Sequence, residues 1–167
     1  MDFQDFLQYV PNLIPVELPA ESAHAKMAPL ERISYMDETH YLDKNPKKAA
    51  VLMLFYPKNK ETHLTLIVRN AYNGVHSSQI AFPGGKYEST DLDYQQTALR
   101  ETSEEIGVLP EKIEIIKHFT PMYIPPSNFL VHPFLGIAKE ELVFYPDARE
   151  VASIIELPLS VFLDDEI

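Results

Sequence analysis

Apolar positions along the chain change period several times, and each change marks an element. In residues 2–10 (DFQDFLQYV), Phe3, Phe6, Leu7 and Val10 recur at helical spacing. Pro11 has no N–H to continue the ladder, so the helix is expected to stop there. Residues 11–46 carry Pro15, Pro19 and Pro29 among scattered apolar side chains, the pattern of an irregular but ordered arm able to cover the domain or a partner subunit. Residues 49–56 (AAVLMLFY) form a near-continuous apolar run, which predicts a strand buried on both faces. Residues 63–69 (HLTLIVR) predict a second strand, and the polar stretch 57–62 (PKNKET) a turn between the two. A helix is expected over 92–106, where Leu99 and Ile106 lie seven apart and Gly107 stands where a helix end favours glycine. Strands are expected near 113–119 and 129–138, separated by a loop with Pro121, Pro125 and Pro126, and an acidic turn covers 145–150. Strands on both sides of a helix imply an α/β layered domain, with residues 1–46 as the arm and 47–167 as the domain.

With 167 residues and 46% apolar content the chain builds one core rather than two. The 25 acidic residues exceed the 14 basic ones, for a formal charge of −11, which speaks against a protein that binds nucleic acid by neutralising phosphates. A polyanionic ligand would therefore need cations to approach. The absence of cysteine removes thiolate ligands, thiol nucleophiles and disulfides. No basic stretch leads into a long apolar run, and no window approaches the roughly 18–20 apolar residues of a membrane span, so a soluble, cytoplasmic protein is expected.

Candidate chemistry concentrates in Arg100 to Gly107 (RETSEEIG). On a helix, Glu101 and Glu105 are four apart and Glu104 is three from Glu101, so all three carboxylates share a flank. Like charges so placed repel, and a cation such as Mg2+, which takes oxygen ligands and retains waters that phosphates can displace, would compensate them. A solvated acidic face is the alternative. Just upstream, the Phe82-Pro83-Gly84-Gly85 turn lets backbone approach a ligand closely.

Taken together, the stretch 84–108 (GGKYESTDLDYQQTALRETSEEIGV) resembles the Nudix box, with Gly85, Arg100, Glu101, Glu104, Glu105, Gly107 and Val108 at matching positions. It departs in three ways: Thr102 holds an aliphatic position, Asp91 replaces the first glutamate, and one extra residue separates Asp91 from Arg100. The longer spacing is similar to the coenzyme A diphosphatase branch, and the likeness extends over about residues 47–163. Against that branch, Asn70, Gly74 and Ser78 stand where a small residue, an arginine and a glycine are expected.

The resemblance implies a Nudix fold, a mixed sheet between helices in an α/β/α sandwich, and Mg2+- or Mn2+-dependent hydrolysis of a diphosphate linkage in a small nucleotide-derived molecule. Coenzyme A, cut to 3′,5′-ADP and 4′-phosphopantetheine, is the first expectation. ADP-ribose or a dinucleotide is the second, and a non-catalytic ligand-binding module the third. Glu101 and Glu105 would be the principal metal ligands, Glu104 a third, and the Gly85 backbone would complete the set. Arg100 would orient the carboxylates or simply pair with Glu104. Glu150 would serve as a second-site ligand or general base, unless it is an ordinary loop residue beside Asp147 and Arg149. Arg69 would meet a substrate phosphate or make a structural ion pair. Phe82 and Gly84 would border the substrate, and Tyr123 and Phe129 are candidates to line its pocket. His76 and His132 are read as ordinary hydrogen-bonded residues. The family's closing strand and helix are longer than the stretch of chain after Leu163, so a shortened carboxyl end is expected. The arm or a second copy in a homodimer would then cover the bared apolar surface.

Overall fold

The computed structural model describes residues 1–27, 41–70 and 79–163. Gly74, His76 and Ser78 lie outside the described residues, as does Pro29 of the arm.

Eight strands form one mixed sheet: β1 (Lys47–Lys58), β2 (Glu61–Arg69), β3 (Ile80–Ala81), β4 (Gly84–Lys86), β5 (Ile113–His118), β6 (Met122–Ile124), β7 (Phe129–Ala138) and β8 (Val151–Pro158). The main path runs β3-β2-β1-β7-β5, with β4 on β1, β6 on β7 and β8 on β2. Only the β1–β7 pairing is parallel among these ladders. The β1–β2 turn is tighter than the polar stretch suggests. Both strands extend into it, leaving Asn59 and Lys60 at φ 50° and 67° as a two-residue hairpin loop of the left-handed kind that matches strand twist.

The first strand shows why its apolar run is nearly unbroken. Ala50, Leu52, Leu54 and Tyr56 are buried on one face, in a core shared with Ala98, Ile106, Ile67 and Val151. Met53 and Phe55 point the other way, into a cluster with Phe3, Phe6, Val10, Leu135 and Ile137. Two helices therefore sandwich the sheet: α1 (Phe3–Leu13) covers one face and α3 (Tyr94–Ile106) the other, while α2 (Ala20–Met27) lies in the arm. Burying a side chain such as Phe6 contributes about 2 kcal/mol, and three such positions fix α1 on the sheet.

Pro11 does not end α1 but sits inside it. Its position in the last turn sacrifices a single backbone hydrogen bond, and Phe6 and Val10 hold the helix by packing. Lys117 Nζ donates to the carbonyls of Leu13 and Ile14 at 2.9 and 3.0 Å, capping the acceptors the helix end leaves open. The arm also contains more regular structure than its prolines suggest, namely α2 and a short 3-10 turn, Leu42–Lys44.

Helix α3 begins two residues later than the periodicity implies, because Asp93 caps it by accepting from Gln96 N at 2.7 Å, and Leu92 is left 88% exposed. It ends at Gly107, in the left-handed region at φ 74°, where an added Cβ would collide with Tyr145. Strand β8 is not predicted by the periodicity. It pairs with β2 along His63 to Arg69 and slips register between Val68 and Arg69, a bulge at the strand end that carries Arg69.

Candidate active site

The site forms where the C-terminal end of β2, the turn into β4 and helix α3 meet. Thr102, at the aliphatic position of the box, is fully buried without penalty because its Oγ1 donates to Ala98 O at 2.7 Å, one turn back. It lies against the core while its neighbours Glu101, Glu104 and Glu105 face the site.

Arg100 organises the exposed side of the cluster. Its Nε and Nη2 donate to the two carboxylate oxygens of Asp91 at 2.8 and 3.0 Å, Nη1 donates to Glu101 Oε1 and Glu104 Oε2, each at 2.9 Å, and Nη2 also reaches Lys86 O at 3.1 Å. These contacts occupy the donors of the guanidinium, leaving none for a phosphate. Asp91, the residue that replaces the box glutamate, is buried and also accepts from Glu88 N at 3.0 Å and Thr97 Oγ1 at 2.9 Å. The Arg100 guanidinium holds its carboxyl well below the usual range, against the opposing effect of burial.

Glu105 is the deepest carboxylate, with its side chain 1% exposed. Its Oε1 accepts from Arg69 Nη1 at 3.0 Å and its Oε2 from Gly84 N at 2.8 Å. Burial first, and then the charges of Glu101 and Glu150, raise its pKa to about 7 against the opposing effect of these two donors. Burial likewise raises Glu101, opposed by Arg100 and reinforced by Glu104 and Glu150. Gly85 is in contact with this group: a Cβ there would overlap the Glu101 carboxylate. Glu104 is 58% exposed. Glu150 precedes β8, and its carbonyl accepts from Asn70 N at 2.8 Å, which ties the 145–150 loop to the end of β2. The loop is also fastened to the end of α3, through Tyr145 N to Ile106 O and Asp147 N to Glu105 O. Arg149 pairs with Asp147, Nη2 to Oδ2 at 2.6 Å.

A cavity of about 300 Å³ adjoins the cluster. Arg69, Phe82, Gly84 and Gly85 line it, and so do Lys86, Ile124, Phe129 and Val131. Tyr123 does not. It stacks on Tyr41 with centroids 4.9 Å apart and donates to Asn128 Oδ1 at 2.9 Å, because alternation along β6 turns Ile124 inward in its place. Lys86, Ile124 and Val131 are not evident as site residues in the sequence. Their only signal is membership of strands whose pairing brings them together. His132 lies apart from the carboxylates, stacked between Tyr94 (3.8 Å) and His118 (5.4 Å), with Nδ1 3.3 Å from His118 Nε2.

The donor set suits a hard divalent cation. Its groups are all oxygens, and two of them carry charge that burial and mutual repulsion disfavour. The arginines occupy these carboxylates as they stand, and among the described residues no three acidic or histidine side chains converge on one point.

Layered sheet, acidic helix and adjoining cleft define an α/β domain with its carboxylates gathered at one edge of a cavity. The family model for the NUDIX domain matches residues 44–165, and the chain belongs to the Nudix hydrolase family. It is 31% identical over 129 residues to the peroxisomal coenzyme A diphosphatase NUDT7 of Mus musculus, covering 77% of this chain and 54% of that one. It is 35% identical over 124 residues to the mitochondrial Nudix hydrolase 15 of Arabidopsis thaliana, covering 72% and 43%. The chain thus spans about half the length of these curated relatives. Among solved structures, the fold is shared with the Nudix hydrolase RenU of M. smegmatis (TM-score 0.56, 21% identity, 68% and 71% covered). It is shared too with the NUDIX domain of Shewanella oneidensis NrtR complexed with ADP ribose (TM-score 0.56, 19% identity, 81% and 86% covered). No helix among the described residues is long and apolar enough to cross a membrane.

Proposed function

We propose that this chain carries the hydrolytic centre of a divalent-cation-dependent diphosphatase acting on a small nucleotide-linked substrate, with coenzyme A or its derivatives first among the candidates. The observation that carries the reading is the position of buried Glu105, flanked on its helix by Glu101 and Glu104, at the edge of a cleft lined by Arg69 and Lys86. Resemblance to a coenzyme A diphosphatase over 77% of the chain supports the substrate.

Glu101, Glu104 and Glu105 would hold Mg2+ or Mn2+, with the Gly85 backbone beside them. When bound, the cation supplies charge neutralisation for the diphosphate and acidifies water. Arg100 keeps Glu101 and Glu104 together by its grip on Asp91. Arg69 presents a positive group where a diphosphate oxygen would lie, Lys86 adds a second, and Phe82, Gly84 and the apolar wall around Phe129 receive the rest of the ligand. Glu150 is the candidate base, supported by its electrostatic effect on both Glu101 and Glu105. Val161, Phe162 and Leu163 are exposed, and of the two covers expected from the sequence, the arm or a second copy, light scattering of the purified chain would test the second. The relatives' names place them in peroxisome and mitochondrion, so the cytoplasmic expectation is to be tested by fractionating the source cells.

The functional test is a panel of coenzyme A, acyl-coenzyme A, ADP-ribose, NADH and diadenosine polyphosphates incubated with Mg2+ or Mn2+. Release of 3′,5′-ADP from coenzyme A, lost in Glu105→Gln, is the expected result. Cleavage of ADP-ribose or a dinucleotide instead would move the substrate assignment. Tight binding without turnover of any member would make the chain a binding module.

A further inference from the structure

We infer that Arg69 is shared between the carboxylate cluster and the cavity, so that an anion in the cavity and a cation at Glu105 strengthen each other through this one guanidinium. The inference rests on the functional reading above and adds a positioning role that the reading does not require.

The geometry is asymmetric. Arg69 sits at the bulged end of β2, with 24% of its side chain exposed, and it spans from a carboxylate that solvent hardly reaches to the wall of an open cavity. Among the described residues its side chain makes one hydrogen bond, from Nη1 to Glu105 Oε1. Arg100 is the contrast: Asp91, Glu101, Glu104 and the Lys86 carbonyl take up its donors and fix it in place. Arg69 can therefore turn its remaining N–H groups toward an anion at the cost of one bond, whereas Arg100 cannot. Glu105 keeps its orientation in the exchange because Gly84 N still holds Oε2.

Charge dictates the direction of the coupling. Alone with Glu105, Arg69 neutralises the carboxylate and repels an approaching divalent ion. An anion in the cavity draws that positive charge toward itself and leaves Glu105 a stronger ligand. By linkage, a cation at Glu105 frees Arg69 for the anion to the same degree.

The experiment measures the two ligands separately, without turnover. Mg2+ binding is followed by titration calorimetry at about pH 8.5, and methylenediphosphonate binding is followed in EDTA, for the wild-type chain, R69Q and R69K. In R69Q the coupling predicts opposite shifts: Mg2+ binds about fivefold tighter because a repelling charge is gone, and methylenediphosphonate binds about tenfold weaker. R69K, which keeps the charge, should return Mg2+ affinity to near the wild-type value. A merely structural Arg69 would weaken both ligands in R69Q, and a residue that serves only the anion would leave Mg2+ unchanged; either result overturns the inference. Should R69Q not fold, R69K carries the test. Its ammonium cannot span both partners, so the factor by which methylenediphosphonate tightens Mg2+ should fall about threefold or more, and an unchanged factor refutes the coupling. The underlying reading fails separately, if wild-type protein shows no saturable Mg2+ binding or if Glu105→Gln leaves that binding intact.

Discussion

Replacing Asp91 by asparagine tests the scaffold beneath the site. The carboxylate is 2% exposed and accepts from Arg100 twice, from Glu88 N and from Thr97 Oγ1. Asparagine retains one acceptor oxygen, but its NH2 group meets other donors, and the Arg100 charge, 22% exposed, loses one of its three carboxylate partners. Breaking a buried pair from one side costs about 3–5 kcal/mol. Because Arg100 keeps Glu101 and Glu104, about 3 kcal/mol is expected, a fall in Tm of roughly 6–12 °C for a domain of this size. The pH dependence follows from the depressed carboxyl of Asp91. Its stabilisation is fully present above the unfolded value of about 3.9 and is lost only as pH falls through the lower folded value. Thermal melts of both proteins should therefore show the same gap at about pH 7 and about pH 5. A gap under about 2 °C, or one that closes between those two pH values, would refute the reasoning.

Gly85→Ala should leave the fold intact yet reduce turnover by about 100-fold or more, since its Cβ displaces the Glu101 carboxylate; activity within a few-fold of wild type would show that this contact is unimportant. Glu105 has a folded pKa raised to about 7, so its ionisation opposes folding: the contribution is most favourable below the unfolded value and is lost as pH rises through about 7. In EDTA, urea melts should accordingly give Glu105→Gln a relative gain over wild type of roughly 3 kcal/mol on passing from about pH 4 to about pH 8.5. His132 has a folded pKa lowered to about 4 by burial, and its Nε2 has no hydrogen-bond partner among the described residues. Its neutral ring is most favourable above the unfolded value near 6.5, and that advantage is lost as pH falls toward about 4. His132→Phe keeps the ring stacked on Tyr94 and should be relatively more stable at about pH 5 than at about pH 8, read from Tm differences; an unchanged difference would mean the imidazole is not excluded from water.

The parts of the molecule that are legible in the sequence are those where local chemistry and tertiary packing agree. The unbroken apolar run of β1 is explained by helices on both faces, and the carboxylate spacing in α3 by one flank turned to the site. Pro11 misleads because packing of Phe6 and Val10 outweighs one missing hydrogen bond. Strand β8 escapes notice because Ala152 and Ser153 are exposed and interrupt its apolar pattern, so that only pairing with β2 defines it. Arg69 is legible as a residue near phosphate chemistry, but its bond to Glu105 depends on a bulge and a 36-residue separation that no local pattern encodes. Tyr123 illustrates the reverse case: an aromatic near the right loop is turned outward by strand alternation, and Ile124 faces the cavity.

Anomalous diffraction from crystals soaked in Mn2+ tests most directly whether Glu101, Glu104 and Glu105 gather a divalent ion at the edge of the Arg69 cleft. The account predicts a peak within bonding reach of Glu105 and at least one of the other two carboxylates, absent in Glu105→Gln. A soak that leaves the cluster without a peak, its carboxylates still paired to Arg69 and Arg100, would contradict it.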